Sequence, residues 1–316
     1  MDLKQLQAVI GIADTGSFSA AAEGLGTVQS NVSSRVARLE RELDVVLVDR
    51  QSGRLTQEGE VVVARGRRML AELEAMVADV ASMRHNLRGD VRIGIIGTAG
   101  RWMAPLLFAH LREHHPHVHL TVADGTNTTL EPQLVAGKLD LAVVTIPVHD
   151  DELSTSPLFE EDLVLVVAVT HELARRHASA DGTGAAVPMR VLAEHELILP
   201  AAGTSLRDEI DGAAARAGVT LRPAMELDGL RMIASLAFDG YGPAILPASA
   251  VPLHQRRDFV QLLVDGLPRR RAGIAMRVRG LPSAPARALI DVLHAIVEDT
   301  SVVPAGLHPC AAEQHH

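Results

Sequence analysis

The hydrophobic pattern of the chain changes its period at Gly89, and that change sets what the 316 residues can fold into. Before it, apolar residues recur only at helical intervals. After it, short β-rich runs alternate with helical ones. In the first segment Leu3, Leu6, Val9, Ile10 and Ala13 mark one helix, which Asp14-Thr15-Gly16 stops. Ser17 or Ser19 can cap a second helix over 20–25, and Gly24-Leu25-Gly26-Thr27 turns the chain into a third over 28–43. The buried stripe of the third helix is Val28, Val32, Val36, Leu39 and Leu43, at spacings of 4, 4, 3 and 4. An extended segment over 45–48 and a polar turn over 49–54 follow. Thr56 can then cap a long helix from Gln57 to about Leu87. Along it Met69, Leu73, Met76, Val80, Met83 and Leu87 form an a/d seam of nearly three heptads, and such a seam requires a partner helix.

Beyond Gly89 the expected elements are strand 91–96, helix 103–114, strand 118–123, helix 129–136, strand 140–144 and strand 162–169. After a loop over 174–188 come strand 196–200, helix 206–217, strand 222–227, helix 230–238, strand 244–247, a basic strand-bearing segment 256–264, strand 272–278 and helix 285–298. Alternation of this kind implies parallel sheets with helices on both faces, and its length suits two α/β subdomains. The fold class is therefore α+α/β. The expected domains are 1–58, a linker helix 59–88, a region 89–300 of two α/β subdomains, and a mobile tail 301–316.

Composition removes several alternatives. With 47% hydrophobic residues and 22% charged ones, the chain is neither disordered nor collagen-like. Its one cysteine, Cys310, permits no internal disulfide and no two-thiol switch, which fits a reducing cytoplasm. The N-terminus carries Asp2, Lys4, Gln5, Gln7 and Asp14 through its apolar stretch, unlike a signal peptide or a membrane span, so no membrane partner is expected. Aromatic residues make up 2% of the chain, too few for the stacking platforms that hold single-stranded nucleic acid.

The third helix carries the strongest chemical signal. Gln29, Ser30, Asn31, Ser33 and Ser34 are uncharged hydrogen-bonding residues at its start, and Arg35 and Arg38 follow. Ordinary solvated helix faces favour Glu and Lys instead. A helix entering the major groove, about 12 Å wide, needs donors and acceptors near its N-terminus. Gln29 or Asn31 can pair with adenine, Arg35 or Arg38 can reach guanine or phosphate, and Arg50 and Arg54 on the next turn suit phosphate contacts of a wing. The partner these residues imply is double-stranded DNA.

The run Gly16-Ser17-Phe18-Ser19-Ala20-Ala21-Ala22, with Leu25, Gln29, Val32-Ser33, Leu39-Glu40, Leu43, Leu47, Arg50 and Leu55-Thr56-Gln57-Glu58-Gly59, resembles the N-terminal domain of LysR-type transcriptional regulators. Ala104-Pro105-Leu106-Leu107 and Gly240-Tyr241-Gly242-Pro243-Ala244-Ile245-Leu246-Pro247 extend the likeness over about 300 residues. The resemblance implies a winged helix-turn-helix, a dimerising linker helix, and a two-subdomain effector-binding region like that of periplasmic binding proteins. It also implies a cytoplasmic homodimer, commonly assembled into a homotetramer, that regulates transcription in response to a small molecule. Three residues depart from the family pattern: Val28 in place of Ser, Asp44 in place of Gly and Val48 in place of Phe.

The resemblance places the effector between the two subdomains. Physically, a cleft at strand C-termini lined by helix N-termini suits small polar groups. Candidate lining residues are Thr98, Ala99 and Gly100 after the first strand, Thr126 and Asn127 after the second, Thr145 after the third, and Thr204 and Ser205 before the helix at 206. Helix capping is the competing role for the polar ones. Arg101 and Trp102 are read at the start of the first helix of this region, where a cation opposes the helix dipole, and that placement points to a lining role for Trp102.

No catalytic residue, cofactor or metal site is expected. The chain has no G-x-S-x-G elbow, no Walker loop and no dinucleotide fingerprint. His110 and His114 stand i, i+4 on one helix, but no neighbouring acid or cysteine completes a zinc set, and His308, Cys310, His315 and His316 fall in the tail. A solute receptor would account for 89–300 but would not need the helix-turn-helix. The net charge of -9 belongs mainly to the later region: residues 91–316 hold 19 basic and 26 acidic residues, while residues 27–54 hold five arginines against four acids. DNA binding is therefore expected to depend on base contacts and dimer geometry more than on a broad electrostatic grip.

Overall fold

The computed structural model describes residues 1–82, 87–177, 186–252 and 258–310. The first helices are α1 (Leu3–Thr15), α2 (Phe18–Gly24), α3 (Gln29–Leu43) and α4 (Gln57–Ser82). Asp2 and Gln5 close a capping box on α1, and Gly16 takes the left-handed conformation that ends it. Ser17, the first of the two candidate residues, caps α2 by accepting from the Ala20 N–H at 3.1 Å. Val32, Val36 and Leu39 of α3 are buried with Leu6, Val9, Ile12, Ala21 and Ala22, forming one small core.

The three departures from the family pattern have visible consequences. Val28 occupies the N-cap of α3 and supplies no side-chain cap. Asp44 ends α3 at φ 56°, a left-handed position that favours glycine. Val48 is buried and pairs with Leu55 across the turn 49–54, so the wing is a single bridged hairpin.

Thr56 holds that hairpin to the linker helix. Its hydroxyl donates to Val46 O at 2.7 Å and accepts from the Gly59 N–H at 3.0 Å, while its N–H donates to Leu47 O at 3.0 Å. Gly59 lies directly against that carbonyl, and a Cβ there would overlap Leu47 O and stand 3.0 Å from its carbonyl carbon.

The second region comprises β1 (Gly89–Ile96), α5 (Gly97–His114), β2 (Val118–Gly125), α6 (Asn127–Val135), β3 (Leu141–Thr145), β4 (Leu153–Glu161), β5 (Leu163–Ala168), α7 (Glu172–His177) and α8 (Met189–Leu192). It continues with β6 (Glu196–Pro200), α9 (Ser205–Arg216), β7 (Arg222–Leu227), α10 (Leu230–Phe238), β8 (Ala244–Pro247), a 3-10 turn (Ala248–Ala250), β9 (Phe259–Leu263), β10 (Arg270–Arg277), α11 (Ala284–Glu298) and β11 (Leu307–Pro309).

Among the described residues the strands form two sheets, ordered β11-β4-β10-β3-β1-β2 and β7-β6-β8-β5-β9. The expectation of parallel sheets holds only for β2-β1-β3 and β7-β6-β8. Strands β4, β10 and β11, and β5 and β9, run antiparallel, because the chain crosses to the second sheet through Asp162 and returns between β9 and β10.

Two other expectations are corrected. Helix α5 begins at Gly97, not near Met103, so Thr98, Ala99 and Gly100 form its first turn and Arg101 and Trp102 lie beyond it. The tail expected from residue 301 is paired to β4 through β11, with Leu307 opposite Glu161, and His308 Nε2 lies 2.9 Å from Asp162. His315 and His316 lie outside the described residues.

Helix α4 is tied to the first subdomain. Asp79 accepts from Ala284 N at 2.8 Å and from Arg287 at 3.2 Å, Arg92 pairs with Glu74 at 2.9 Å, and Arg68 donates to Val135 O and pairs with Glu152, both at 2.7 Å. Ala78 and Ala81 are buried on that side.

Candidate functional site

The polar surface expected to face DNA is built by the start of α3. Its apolar stripe faces α1 and α2, which leaves Gln29, Ser30, Asn31 and Ser34 exposed, and Ser33 and Arg35 half-buried. Gln29 accepts from Ser19 Oγ of α2 at 3.1 Å, and Asn31 donates to Thr27 Oγ1 of the turn at 3.0 Å, so both amides are held by neighbours. Among the described residues Ser30, Ser34, Arg35 and Arg54 have no side-chain partner. Arg50 donates to Ser33 at 3.2 Å and pairs with Glu40 at 3.0 Å, which ties the wing to α3. Arg38 pairs with Glu42 at 3.3 Å.

The expected seam on α4 is left largely exposed by the chain's own packing. Met69, Leu73, Met76 and Val80 are exposed, and Val77 joins them. Leu87, expected on the same helix, is half-buried and lies beyond the end of α4 at Ser82, and Met83 lies outside the described residues. A groove of about 1330 Å³ runs beside this helix, lined in part by Met69, Leu73, Val77 and Met276.

Between the subdomains, the expected lining residues divide by role. Gly100 lies over Ile95, where a Cβ would make ordinary contact at 3.6 Å, and Ala99 is buried, so both serve α5 packing. Thr126 and Thr129 form the capping box of α6, and Thr204 caps α9 through the Arg207 N–H at 3.4 Å. Thr98 is buried in the first turn of α5. Asn127 bonds both backbone groups of Thr145, accepting from its N–H at 3.0 Å and donating to its carbonyl at 2.6 Å. Ser205 is exposed and donates to Glu209 at 3.3 Å.

At the centre of this region is a residue that sequence reasoning missed. Arg270 opens β10 directly opposite Glu161, the last residue of β4. Side chains alternate across a strand, so this pair turns inward while the next pair, Arg271 and Glu160, meets at the surface at 2.7 Å. Arg270 donates to Thr145 Oγ1 at 3.0 Å and lies 3.8 Å from Glu161 and 3.5 Å from Glu209. It therefore links β3, β4 and β10 of one subdomain to α9 of the other. Burial pushes the Glu161 carboxyl above the usual carboxylate range, opposed by Arg270 and by the Ser249 N–H that donates to it. A second ion pair, Arg231 with Asp124 at 2.7 Å, joins α10 to β2. The only sequence signal for Arg270 was the arginine run 269–271, whose partner, the acidic run 160–162, is brought to it by the β4–β10 pairing.

A helix-turn-helix with an exposed polar reading face, an extended helix carrying an unpaired apolar stripe, and two hinged α/β subdomains together define a DNA-binding regulator with an effector-binding region. The bacterial regulatory helix-turn-helix protein family of lysR type matches residues 3–60, and the LysR substrate binding domain matches residues 84–297. The chain belongs to the LysR family of transcriptional regulators. It is 30% identical over 308 residues to a probable hydrogen peroxide-inducible genes activator of Streptomyces viridosporus, covering 95% of this chain and 96% of the other. The DNA-binding transcriptional dual regulator OxyR of Escherichia coli is 28% identical over 297 residues, with 93% of each chain covered. A full-length OxyR variant from Pseudomonas aeruginosa has a similar structure, with a TM-score of 0.73 and 25% identity over 93% of this chain and 94% of that one. These relatives are regulators and not enzymes. Among the described residues no helix is long and apolar enough to cross a membrane.

Proposed function

We propose that the chain works in the cytoplasm as a homodimer, assembled further into a homotetramer, that reads an inverted-repeat operator and responds to a small molecule held between its subdomains. Residues 1–58 read DNA, 59–88 pair with the partner helix, and 89–300 bind the effector. The observation that carries this reading is the start of α3, where Gln29, Ser30, Asn31 and Ser34 are exposed and Arg35 half-buried beside the buried Val32, Val36 and Leu39; Val28 and Leu43, expected in that buried stripe, are exposed at the helix ends. Such a face offers amide and guanidinium groups to base edges, and a dimer presents two of them to successive major grooves. Thr98, Trp102, Asn127, Thr145 and Ser205 serve the effector through the polar cluster centred on Arg270. An effector acts by binding one arrangement of the subdomains better than another, and α4, tied to the first subdomain through Asp79 and Arg92, passes the change to the DNA-binding domains.

The names of the relatives connect them with hydrogen peroxide. A response resting on a disulfide within the chain is closed to these 316 residues, which hold one cysteine. Burial also pushes the Cys310 thiol up, away from the reactive thiolate form.

Gln29→Ala and Arg35→Ala each remove one base-reading group from an exposed or half-buried position, so the fold should persist. Each change is expected to weaken operator binding by about 5- to 150-fold per half-site, the equivalent of roughly 1–3 kcal/mol, with specificity relaxed at the matching base. Fluorescence anisotropy on labelled operator measures it. Unchanged affinity in both variants would move the reading face off α3.

A further inference from the structure

The hinge holds more hydrogen-bonding capacity than the chain itself uses. Among the described residues, four buried side-chain atoms there have no hydrogen-bond partner: Trp102 Nε1, Ser249 Oγ, Arg270 Nε and Glu209 Oε2. Trp102 is 8% exposed, Ser249 2%, and the Arg270 side chain 9%. Leaving such groups without partners is costly, so a cluster of them marks a place that receives another molecule.

The four belong to one locale. Trp102 packs edge-on against Phe159 with ring centroids 6.2 Å apart, and Phe159 shares the inward side of β4 with Glu161. The Glu161 carboxylate accepts from the Ser249 N–H at 3.1 Å and stands 3.8 Å from Arg270. Helix α5, which carries Trp102, packs on the 3-10 turn that carries Ser249. On the far side, Arg270 Nε and Glu209 Oε2 form an ion pair at 3.5 Å without a hydrogen bond, so the two subdomains meet there through charge alone.

The unused groups specify the chemistry of a guest. The indole and guanidinium N–H groups are donors and need acceptors, and the serine hydroxyl can donate to one. The Glu209 oxygen needs a donor. Charge narrows the choice. Arg270 already faces the carboxylates Glu161 and Glu209, so a ligand carboxylate would bring a third acid into a buried site. An ammonium group would satisfy Glu209 but leave the donors without acceptors. Hydroxyl groups both accept and donate and carry no charge.

We infer that the effector is a small, uncharged polyhydroxy compound of sugar or polyol type, held by Trp102, Ser249 and Arg270 and donating to Glu209. The inference rests on reading the subdomain cleft as the effector site. It adds the ligand class and the four residues that select it. A hydroxyl that accepts from Arg270 and donates to Glu209 touches both subdomains, which gives the ligand a direct hold on their relative position.

Trp102 is the only tryptophan in the chain, so its emission reports this site alone. The full-length protein is titrated with ribitol, D-glucose and myo-inositol, and in parallel with lactate and ethanolamine as charged probes. A saturable change in emission is expected with at least one polyol and with neither charged probe. Ser249→Ala is expected to weaken that response by about 2- to 10-fold, the yield of one hydrogen bond. Trp102→Phe keeps the ring and removes the N–H, and a similar loss is expected by calorimetry. Circular dichroism on both variants confirms that they fold. Silence toward every polyol, or a polyol response that Ser249→Ala and Trp102→Phe leave intact, overturns the inference. A saturable response to lactate or ethanolamine alone also overturns the ligand class while keeping the cleft as the effector site. None of these outcomes alters operator binding by Gln29 and Arg35, so the two readings fail separately.

Discussion

A chain carrying Leu73→Asp and Val80→Asp together is expected to scatter light as a monomer and to lose operator affinity by about 100-fold or more. Both side chains are exposed along α4, on the side away from the buried Ala78 and Ala81, so the substitutions leave the chain's own packing intact. In a dimer the same positions face their copies, and four buried carboxylates in one seam cannot be accommodated. The DNA effect follows from multivalency. A dimer binds its second half-site as an intramolecular event, which raises avidity by about 10²- to 10⁴-fold over one domain alone. Circular dichroism should show unchanged helix content. A persistent dimer would place the subunit interface elsewhere than Met69, Leu73, Met76 and Val80.

Gly59→Ala should have the largest effect on stability. At an ordinary exposed helix position this change stabilises by up to about 1 kcal/mol. Here the added carbon overlaps the Leu47 carbonyl oxygen, which is backbone and cannot rotate away. Relieving the overlap means lifting α4 off the wing, at the expense of the Thr56 N–H bond to Leu47 O and the Thr56 hydroxyl bond to Val46 O. A net loss of about 2 kcal/mol is expected from overpacking of this kind. In a unit of some 60 residues that lowers the melting temperature by roughly 8–16 °C. Scanning calorimetry should show the loss in the transition of the DNA-binding unit, with the α/β region unchanged. An unaltered transition would mean that the close approach of α4 to Leu47 is absent in solution.

The N-terminal unit was legible in the sequence because its determinants are local. Ser17, Gly16 and Thr56 act on residues within a few positions of themselves, and the α3 stripe repeats every three or four residues. The second region was harder. Strand β4 was missed because Pro157 interrupts a mixed run, yet Pro157 sits where the β4–β10 ladder shifts register and no donor is required. The start of α5 was misplaced because Gly97 and Gly100 look like loop residues. Gly97 is small because Asp124 lies against it, with Oδ1 2.8 Å from where a Cβ would stand, while Gly100 has ordinary room over Ile95.

The centre of the cleft was not legible at all. Arg270 meets Glu161 only through the antiparallel register of two strands more than a hundred residues apart, and it reaches Glu209 only across the hinge. The polar loop residues singled out from the sequence are mostly the caps and braces that hold the cleft walls, as Thr126, Asn127 and Thr204 show.

The central claim is that two copies of α3, held apart by paired α4 helices, read one symmetric site. Hydroxyl-radical footprinting of the full-length protein on an operator fragment tests it most directly. The expected pattern is two protected patches related by a dyad, with centres one helical turn, about 10–10.5 base pairs, or a whole number of turns apart. A single patch without dyad symmetry, unchanged by Leu73→Asp and Val80→Asp, would contradict it.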